Sequence, residues 1–330
     1  MRVCLTPRHG GGGPASFQGR LQAEFDRLGV ETTFDPRDRP LDAVLVFAGT
    51  KDLPALSACR RSGVRIVQRL DGINWLHRRR PGSPFRFLRA ELLNWQLRLI
   101  RSVFADRIVY QSDFTRDLWQ TRFGAVPGAR QRVIRNGVAL DEYPAQRGGH
   151  DGTLLAVEGT LDFNAPAAAM VRAANESIVR AGMLRRLSIY TRILPPWIPF
   201  WEGLEPPPET PGMRPRGEVR ARQAQAALFL TLELNPPCPN AVIEALASGL
   251  PVIGYDTGSA GELVGEGGEL AEFGGDPWRL DVPRNLDALA RLADRVLKDW
   301  SAYSRKARRR AEAHFDIRRA AQSYLEVLAE

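Results

Sequence analysis

Disulfide and metal chemistry find little to work with in this sequence. Cys4, Cys59 and Cys238 form no CxxC pair and have no pair of histidines near them. They read as small buried residues of a reducing compartment, not as a disulfide framework or a zinc site. No Asp-x-Asp pair occurs in the chain, so no metal-holding motif is expected. No apolar run approaches the ~18 residues of a membrane-spanning helix. The opening MRVCLTPRHGG has too short an apolar core for a signal peptide, and a cytoplasmic location is the expectation. Lysine is scarce as well: almost all the cations are arginines.

At 330 residues the chain exceeds one core of ordinary size and fits two domains. The net charge of +8 is unevenly spread, with +11 over residues 1–150 and −3 over 151–330. Such asymmetry suits an anionic partner such as a membrane surface or a phosphorylated lipid, or else marks an arginine-rich solvated face. No nucleic-acid motif and no aromatic-interleaved basic repeat accompanies it, so nucleic acid is not expected.

The most informative stretch is PPCPNAVIEALASGLPVIGYDTGSAGELVG, Pro236–Gly265. ALFLTLEL (Ala227–Leu234) before it has strand length, and AVIEALAS reads as a helix with Asn240 at its N-cap. Gly249 is placed to end the helix, and PVIGY opens the next strand. This is the repeating unit of a parallel α/β sheet. The helix has almost no polar face and should be largely buried, yet it carries Glu244 in its first turns. That carboxylate either stabilises its own helix start or lines a ligand site. Free N–H groups at a helix start suit a phosphate, and Glu244 beyond them suits ribose hydroxyls.

CPNAVIEALASGLPVI followed by DTGSAGELV resembles the donor signature of family 4 retaining glycosyltransferases. The resemblance implies the α/β GT-B fold, with two Rossmann-like domains whose parallel sheets face a central cleft. It implies a metal-independent transfer of a hexosyl group from a nucleoside-diphosphate sugar, with no cofactor. The acceptor would be a hydroxyl on a glycan or lipid-linked glycan, as in polysaccharide biosynthesis. Glu244 would bind the ribose, and the helix start at Asn240, Ala241 and Val242, with an arginine, the diphosphate. The turn Thr257-Gly258-Ser259 would lie near the donor.

RVCLT (Arg2–Thr6) is a first strand. The glycines Gly10, Gly11, Gly12 and Gly13 permit positive φ and resemble the family's cleft loop. Helix 15–28 follows, with Phe17, Leu21, Phe25 and Leu28 on one face. AVLVF (Ala43–Phe47) and VRIVQRL (Val64–Leu70) are buried strands around a helical pattern at Pro54–Arg61. The second of them ends in Asp71-Gly72, at a strand's carboxyl end where α/β sheets bind ligands. Asp71 is either an ordinary turn residue or the catalytic, acceptor-side candidate that the family places in this region. Leu88, Leu92, Trp95, Leu99 and Val103 form an apolar stripe among arginines, with Arg78–Arg80 just before. The stripe either packs on its own sheet or lies on an anionic membrane, which would make the chain peripheral at the membrane's inner face. DRIVY is a strand, and Ser112 or Asp113 starts the helix after it. Arg132–Pro144 resembles the family's interdomain connection, and polar Ala145–Gly152 supports a boundary near 148. The domains are then 1–148 and 149–330, with the last helix crossing back to the first. TLLAVEGTL is a strand, a helix begins near Pro166, and RLSIYTR (Arg186–Arg192) is another strand. Prolines at 195, 196, 199, 206, 207, 208 and 211 leave no regular element in Ile193–Gly212. PRGEV (Pro215–Val219) resembles a strand-end turn beside the nucleotide base, which places Arg216 and Gly217 near the donor. Helices are expected at 284–299 and 301–328.

Two features depart from the family pattern. The family has two acids eight apart, and eight before Glu244 stands Pro236, with Glu233 nearby. The Arg and Lys expected after the second domain's first strand are replaced by EGTLDFNAPAA, so Arg192, Arg214 or Arg216 would have to take over the diphosphate. These departures keep a second reading open, a catalytically weak GT-B module that binds nucleotide or glycan as an assembly partner. A nucleotide-sugar epimerase or a phosphorylase sharing the fold finds no motif.

Overall fold

The strands form where the short apolar runs predict them, because residues buried on both faces need no alternation. The computed structural model describes all residues except 81, 126–129, 145–147 and 160–164. Among the described residues, β1 (Arg2–Thr6), β2 (Glu31–Thr33), β3 (Ala43–Phe47), β4 (Arg65–Leu70), β5 (Arg107–Tyr110) and β6 (Arg130–Val133) form a parallel sheet ordered β2-β1-β3-β4-β5-β6. A second parallel sheet holds β7 (Thr153–Val157), β8 (Arg186–Tyr190), β9 (Leu228–Leu230), β10 (Val252–Asp256) and β11 (Gly268–Glu272), ordered β11-β10-β9-β7-β8. The chain divides into two compact units: Met1–Gly137 with Ile317–Glu330, and Val138–Asp316. The division falls at Gly137/Val138, ahead of the polar stretch around 148, because Val138 and Tyr143 are buried in the second unit's core.

In the first unit the helices are α1 (Gly12–Arg27), α2 (Leu53–Arg61), α3 (Pro84–Leu99) and α4 (Asp113–Phe123). Phe17, Leu21 and Phe25 of α1 are buried as their spacing predicts, while Leu28 lies past the helix end and is exposed. Ser112 caps α4, its hydroxyl accepting from Thr115 N–H at 3.0 Å.

Helix α3 departs from the expectation that its stripe packs on the sheet. Leu88, Leu92, Trp95 and Val103 are exposed, and the opposite face is the one that docks. That docking face is largely polar. Asn94 accepts from Asn74 N–H at 3.0 Å and donates to Asn74 O at 2.9 Å. Leu97 O accepts from Gln68 Nε2 at 3.1 Å, and the helix widens into a π turn over Ile100–Phe104, as a side chain inserted into a carbonyl ladder tends to cause. Arg101 is buried and donates to Gly124 O at 2.6 Å. Arg78 is not a free member of the Arg78–Arg80 run, because Glu91 of α3 holds it bidentately at 2.6 and 2.8 Å.

The second unit carries α5 (Ala165–Ala174), α6 (Ile198–Glu202), α7 (Arg216–Gln223), α8 (Asn240–Ala247), α9 (Ala260–Val264), α10 (Ala288–Lys298) and α11 (Trp300–His314). The proline-dense segment is not without regular structure: Pro195–Trp197 is a 3₁₀ turn and α6 follows it. Prolines sit at first-turn positions there, where no N–H is needed, and Trp201 and Leu204 enter the core. The helix expected over 301–328 is two helices, α11 and α12 (Ile317–Ala329), parted at Phe315-Asp316. Phe315 is fully buried, and its carbonyl accepts from Val138 N–H at 2.8 Å. α12 belongs to the first unit, where Tyr324 meets Phe17 at a ring distance of 5.9 Å.

Arg308 of α11 holds the carboxyl end of α8. Its guanidinium donates to Ala247 O at 2.6 Å, to Leu140 O at 3.4 Å and to Tyr143 O. Arg308→Ala leaves these carbonyls without that donor, and the unfolding free energy should fall by about 2–3 kcal/mol. Chemical denaturation at unchanged slope measures the fall. An unmoved midpoint would mean that water serves those carbonyls equally well.

Candidate functional site

In an open α/β sheet, ligands bind beyond the carboxyl ends of the strands, at the point where strand order reverses. In the second sheet that point lies between β7 and β9, whose register pairs Leu154 with Leu228 and Leu155 with Phe229. α8 follows the β9 loop. Val242, Ile243, Ala245, Leu246 and Ala247 fill the core, and Asn240, Ala241 and Glu244 stay partly exposed. Those three residues are three and four apart, so they form one strip on the amino-terminal half of α8. Three sequence-predicted donor residues therefore come together. Val242 differs: its side chain is buried, leaving only its backbone N–H for a ligand. Asn240 is the first helical residue and not the N-cap. Pro239 occupies that position without a side-chain cap, because the Pro-Cys-Pro run holds the chain extended up to the helix. Gly249, at φ 65°, ends α8 as predicted.

The turn after β10 is laced to the loop after β9. Thr257 Oγ1 donates to Glu233 O at 3.4 Å and accepts from Asn235 N–H at 3.3 Å, while Ser259 N–H donates to Pro236 O at 2.9 Å. Gly258 sits between them at φ 58°. A Cβ there would stand 2.5 Å from Asn235 C and Pro236 N, which no side chain tolerates. The predicted Gly258 turn is thus fixed against the segment that leads into α8. Pro236 is buried in this seam.

Two carboxylates that sequence reading did not join meet at the switch point. Glu158 follows β7, and Glu233 stands three residues past β9. Burial raises the Glu158 carboxyl well above its ordinary range, the charge of Glu233 raises it further, and the backbone N–H of Leu232 partly opposes the shift. Glu233 is also raised by the enclosing protein, although solvent reaches its side chain. Strand pairing, visible only in three dimensions, brings them together; the signal in the sequence was two acids at the ends of apolar runs.

The other predicted donor residues are placed less closely. Arg192 lies just beyond β8, and Arg214 and Arg216 flank the start of α7. All three are exposed and make no ion pair among the described residues. Pro215–Val219 is not a strand-end turn: Arg216 and Gly217 begin helix α7, which packs against α8. Thr160 and Asn164 of the EGTLDFNAPAA segment lie outside the described residues.

In the first unit, Gly11 caps α1 in extended geometry and Gly12 adopts φ 76°, while Gly10 and Gly11 have open space around them. Sequence reading missed the residue that anchors this loop. Buried Gln18 accepts from His9 N–H at 2.9 Å and donates to Pro7 O at 2.9 Å. Asp71 follows β4, with its carbonyl accepting from Trp119 Nε1 at 2.8 Å. Burial pushes its carboxyl up, against the pull of neighbouring Arg69. Arg69 is itself buried, donating to Asn136 Oδ1 at 2.6 Å and lying 4.4 Å over the Phe17 ring.

A separate cavity of about 380 Å³, lined by Asp256, Glu266, Glu269, Tyr303 and Lys306 among others, lies beside β11 and α11 and holds none of the donor candidates. Among the described residues no three His, Cys, Asp or Glu side chains gather as a metal site would, and the three cysteines are buried and unbridged.

Two parallel α/β units, one with a laced helix start at its switch point, define a GT-B-like chain. Solved structures show this fold. Sucrose-phosphate synthase from Thermosynechococcus elongatus is 12% identical, with 99% of this chain and 98% of that one covered at a TM-score of 0.70. HepE of Anabaena is 15% identical over 100% and 99% at 0.67. AviGT4, a glycosyltransferase involved in avilamycin A biosynthesis, is 18% identical over 99% and 96% at 0.65. Residues 209–314 match the family described as glycosyl transferases group 1. No curated protein sequence matches the chain.

Gly258→Ala should destabilise the second unit by more than about 2 kcal/mol, because it adds a positive-φ penalty and a backbone collision that only loop movement relieves. Thermal unfolding at one pH measures it, and a shift within error would mean that the seam yields freely. The raised carboxyls give a second expectation. They bind protons more readily folded than at their ordinary value of 4.5. The stability they contribute is therefore present at low pH and lost as pH rises through the raised values. Glu158→Gln should flatten the fall in unfolding midpoint between about pH 5 and 8; parallel wild-type and variant profiles would contradict it.

Proposed function

We propose that the chain is a glycosyltransferase that takes its sugar from a UDP-sugar and passes it to a hydroxyl acceptor on a glycan or lipid-linked glycan. The observation that carries this reading is the partly exposed strip Asn240-Ala241-Glu244 at the start of an otherwise buried helix. The free N–H groups of a helix start suit a diphosphate, and a carboxylate one turn later suits a ribose diol. HepE was solved with UDP and glucose, and the pneumococcal O-GlcNAc transferase GtfA, 13% identical, with UDP and GlcNAc.

In this reading Glu244 holds the ribose, and the first turn of α8 with the Gly258 turn receives the diphosphate. Arg192 or Arg216, beside Gly217, supplies countercharge to the leaving group. In the first unit Asp71 serves the acceptor side, where a carboxyl held above its usual range is suited to exchange a proton with a hydroxyl. Of the glycine loop Gly11, Gly12 and Gly13, Gly11 has the open space that a ligand there would need. Retention of anomeric configuration follows from the family resemblance. A peripheral membrane position suits a lipid-linked acceptor.

One observation favours a second reading, a nucleotide-binding module without turnover: buried Pro236 stands where the family's first acid stands. UDP binding without transfer or donor hydrolysis would decide for it.

Glu244→Gln should weaken UDP roughly ten- to a hundredfold in a folded protein, the worth of a charge-assisted hydrogen bond. Calorimetry reads this, and equal affinities would remove Glu244 from the site. Ala at Arg192 or Arg216 should cost turnover more than donor affinity, because leaving-group charge grows in the transition state. Lys should restore only part of it, lacking the bidentate fork. Full activity in both Ala variants would exclude this assignment.

A further inference from the structure

We propose that the outer face of α3 is a docking surface for an anionic lipid bilayer. Phe85, Leu88, Leu92 and Trp95 lie three and four residues apart on one face of the helix, and they are 74, 58, 56 and 58% exposed. Large apolar side chains in such a contiguous row are costly to leave in water and mark a contact surface. The fold itself does not cover them, because polar ties through Asn94, the Leu97 carbonyl and Arg101 hold the opposite face inward.

The charges around the row choose the occupant. Arg86 and Arg89 are exposed and make no ion pair among the described residues. The only acid in α3, Glu91, is engaged by Arg78 and by His77 Nε2 at 2.6 Å, and these partners hold its carboxyl down to about 2. The helix therefore presents apolar bulk and positive charge with no competing free carboxylate. Aromatic and aliphatic groups enter the acyl boundary of a membrane, while guanidinium groups meet phosphate headgroups. A second copy fits this surface less well, since a two-fold contact brings the same arginine-bearing face together on both sides with no free carboxylate of α3 to offset it. The inference goes beyond the transfer reaction, and its test needs no turnover.

Sedimentation with vesicles of phosphatidylcholine containing about one-third phosphatidylglycerol tests it, with pure phosphatidylcholine vesicles as the control. The full chain should bind the anionic vesicles at about 0.05 M salt and lose much of that binding at about 0.5 M. Leu92→Gln with Trp95→Gln should reduce the partition at least about tenfold. Arg86→Gln with Arg89→Gln should reduce it about thirtyfold. All four side chains are exposed, so the variants should keep the wild-type thermal midpoint and UDP affinity. Lost UDP binding in wild type would count against the proposed reaction, not against the surface. No vesicle binding at low salt overturns the inference. So does binding that ignores Leu92 and Trp95, which would be diffuse charge attraction. A concentration-dependent dimer abolished by the Leu92/Trp95 variant, without vesicle binding, would assign the face to a second copy.

Discussion

The approach of the Gly258 turn to the backbone of Asn235-Pro236 is the contact on which the second unit's ligand-facing edge depends. Two loops from adjacent strands have no regular ladder between them, so their spacing must come from side chains or from direct backbone contact. Here Thr257 and Ser259 supply hydrogen bonds on either side, and the missing Cβ of Gly258 lets the chains close. Asn235 adopts φ 50° on the other side of the seam, a conformation that asparagine tolerates better than most residues. The start of α8 is then fixed by the seam, its middle by the apolar core and its end by Arg308. Glu244 needs no rigidity of its own, because the helix beneath it is held at both ends.

Much of this was legible in the sequence because it is local. Apolar runs of four to six residues marked most strands, and Gly249 marked the end of α8. What escaped depends on partners far along the chain. The face of α3 stayed open between two readings because hydrophobic periodicity reports which face is apolar, not which face is docked. Buried Asn94 and Arg101 found hydrogen-bond partners in Asn74 and Gly124, and that polar docking turned the apolar stripe outward. Glu158 and Glu233 lie more than seventy residues apart and meet only through the β7–β9 pairing. The prolines of 195–211 were read as breakers, although the first turn of a helix accepts them.

The two units arrange charge beyond their strand ends in opposite ways. In the first, Arg69 is enclosed between Phe17, Phe47 and Asn136, with Asp71 as its nearest compensating acid. In the second, two carboxylates share a region with no cation among the charges that shift them, so burial and mutual repulsion both favour keeping protons on. Each arrangement sits at the carboxyl ends of central strands.

The return of α12 to the first unit has a consequence for how the protein is made. On a ribosome the second unit is continuous and can close as soon as Asp316 emerges. The first unit waits for Ile317–Glu330, and until then Phe17 faces the gap that Tyr324 will fill. At ordinary elongation rates the delay between Gly137 and Ile317 is roughly ten to forty seconds. Through that interval the nascent first sheet carries an uncovered apolar face together with the outward row of α3. This is the window in which a chaperone would have most to bind.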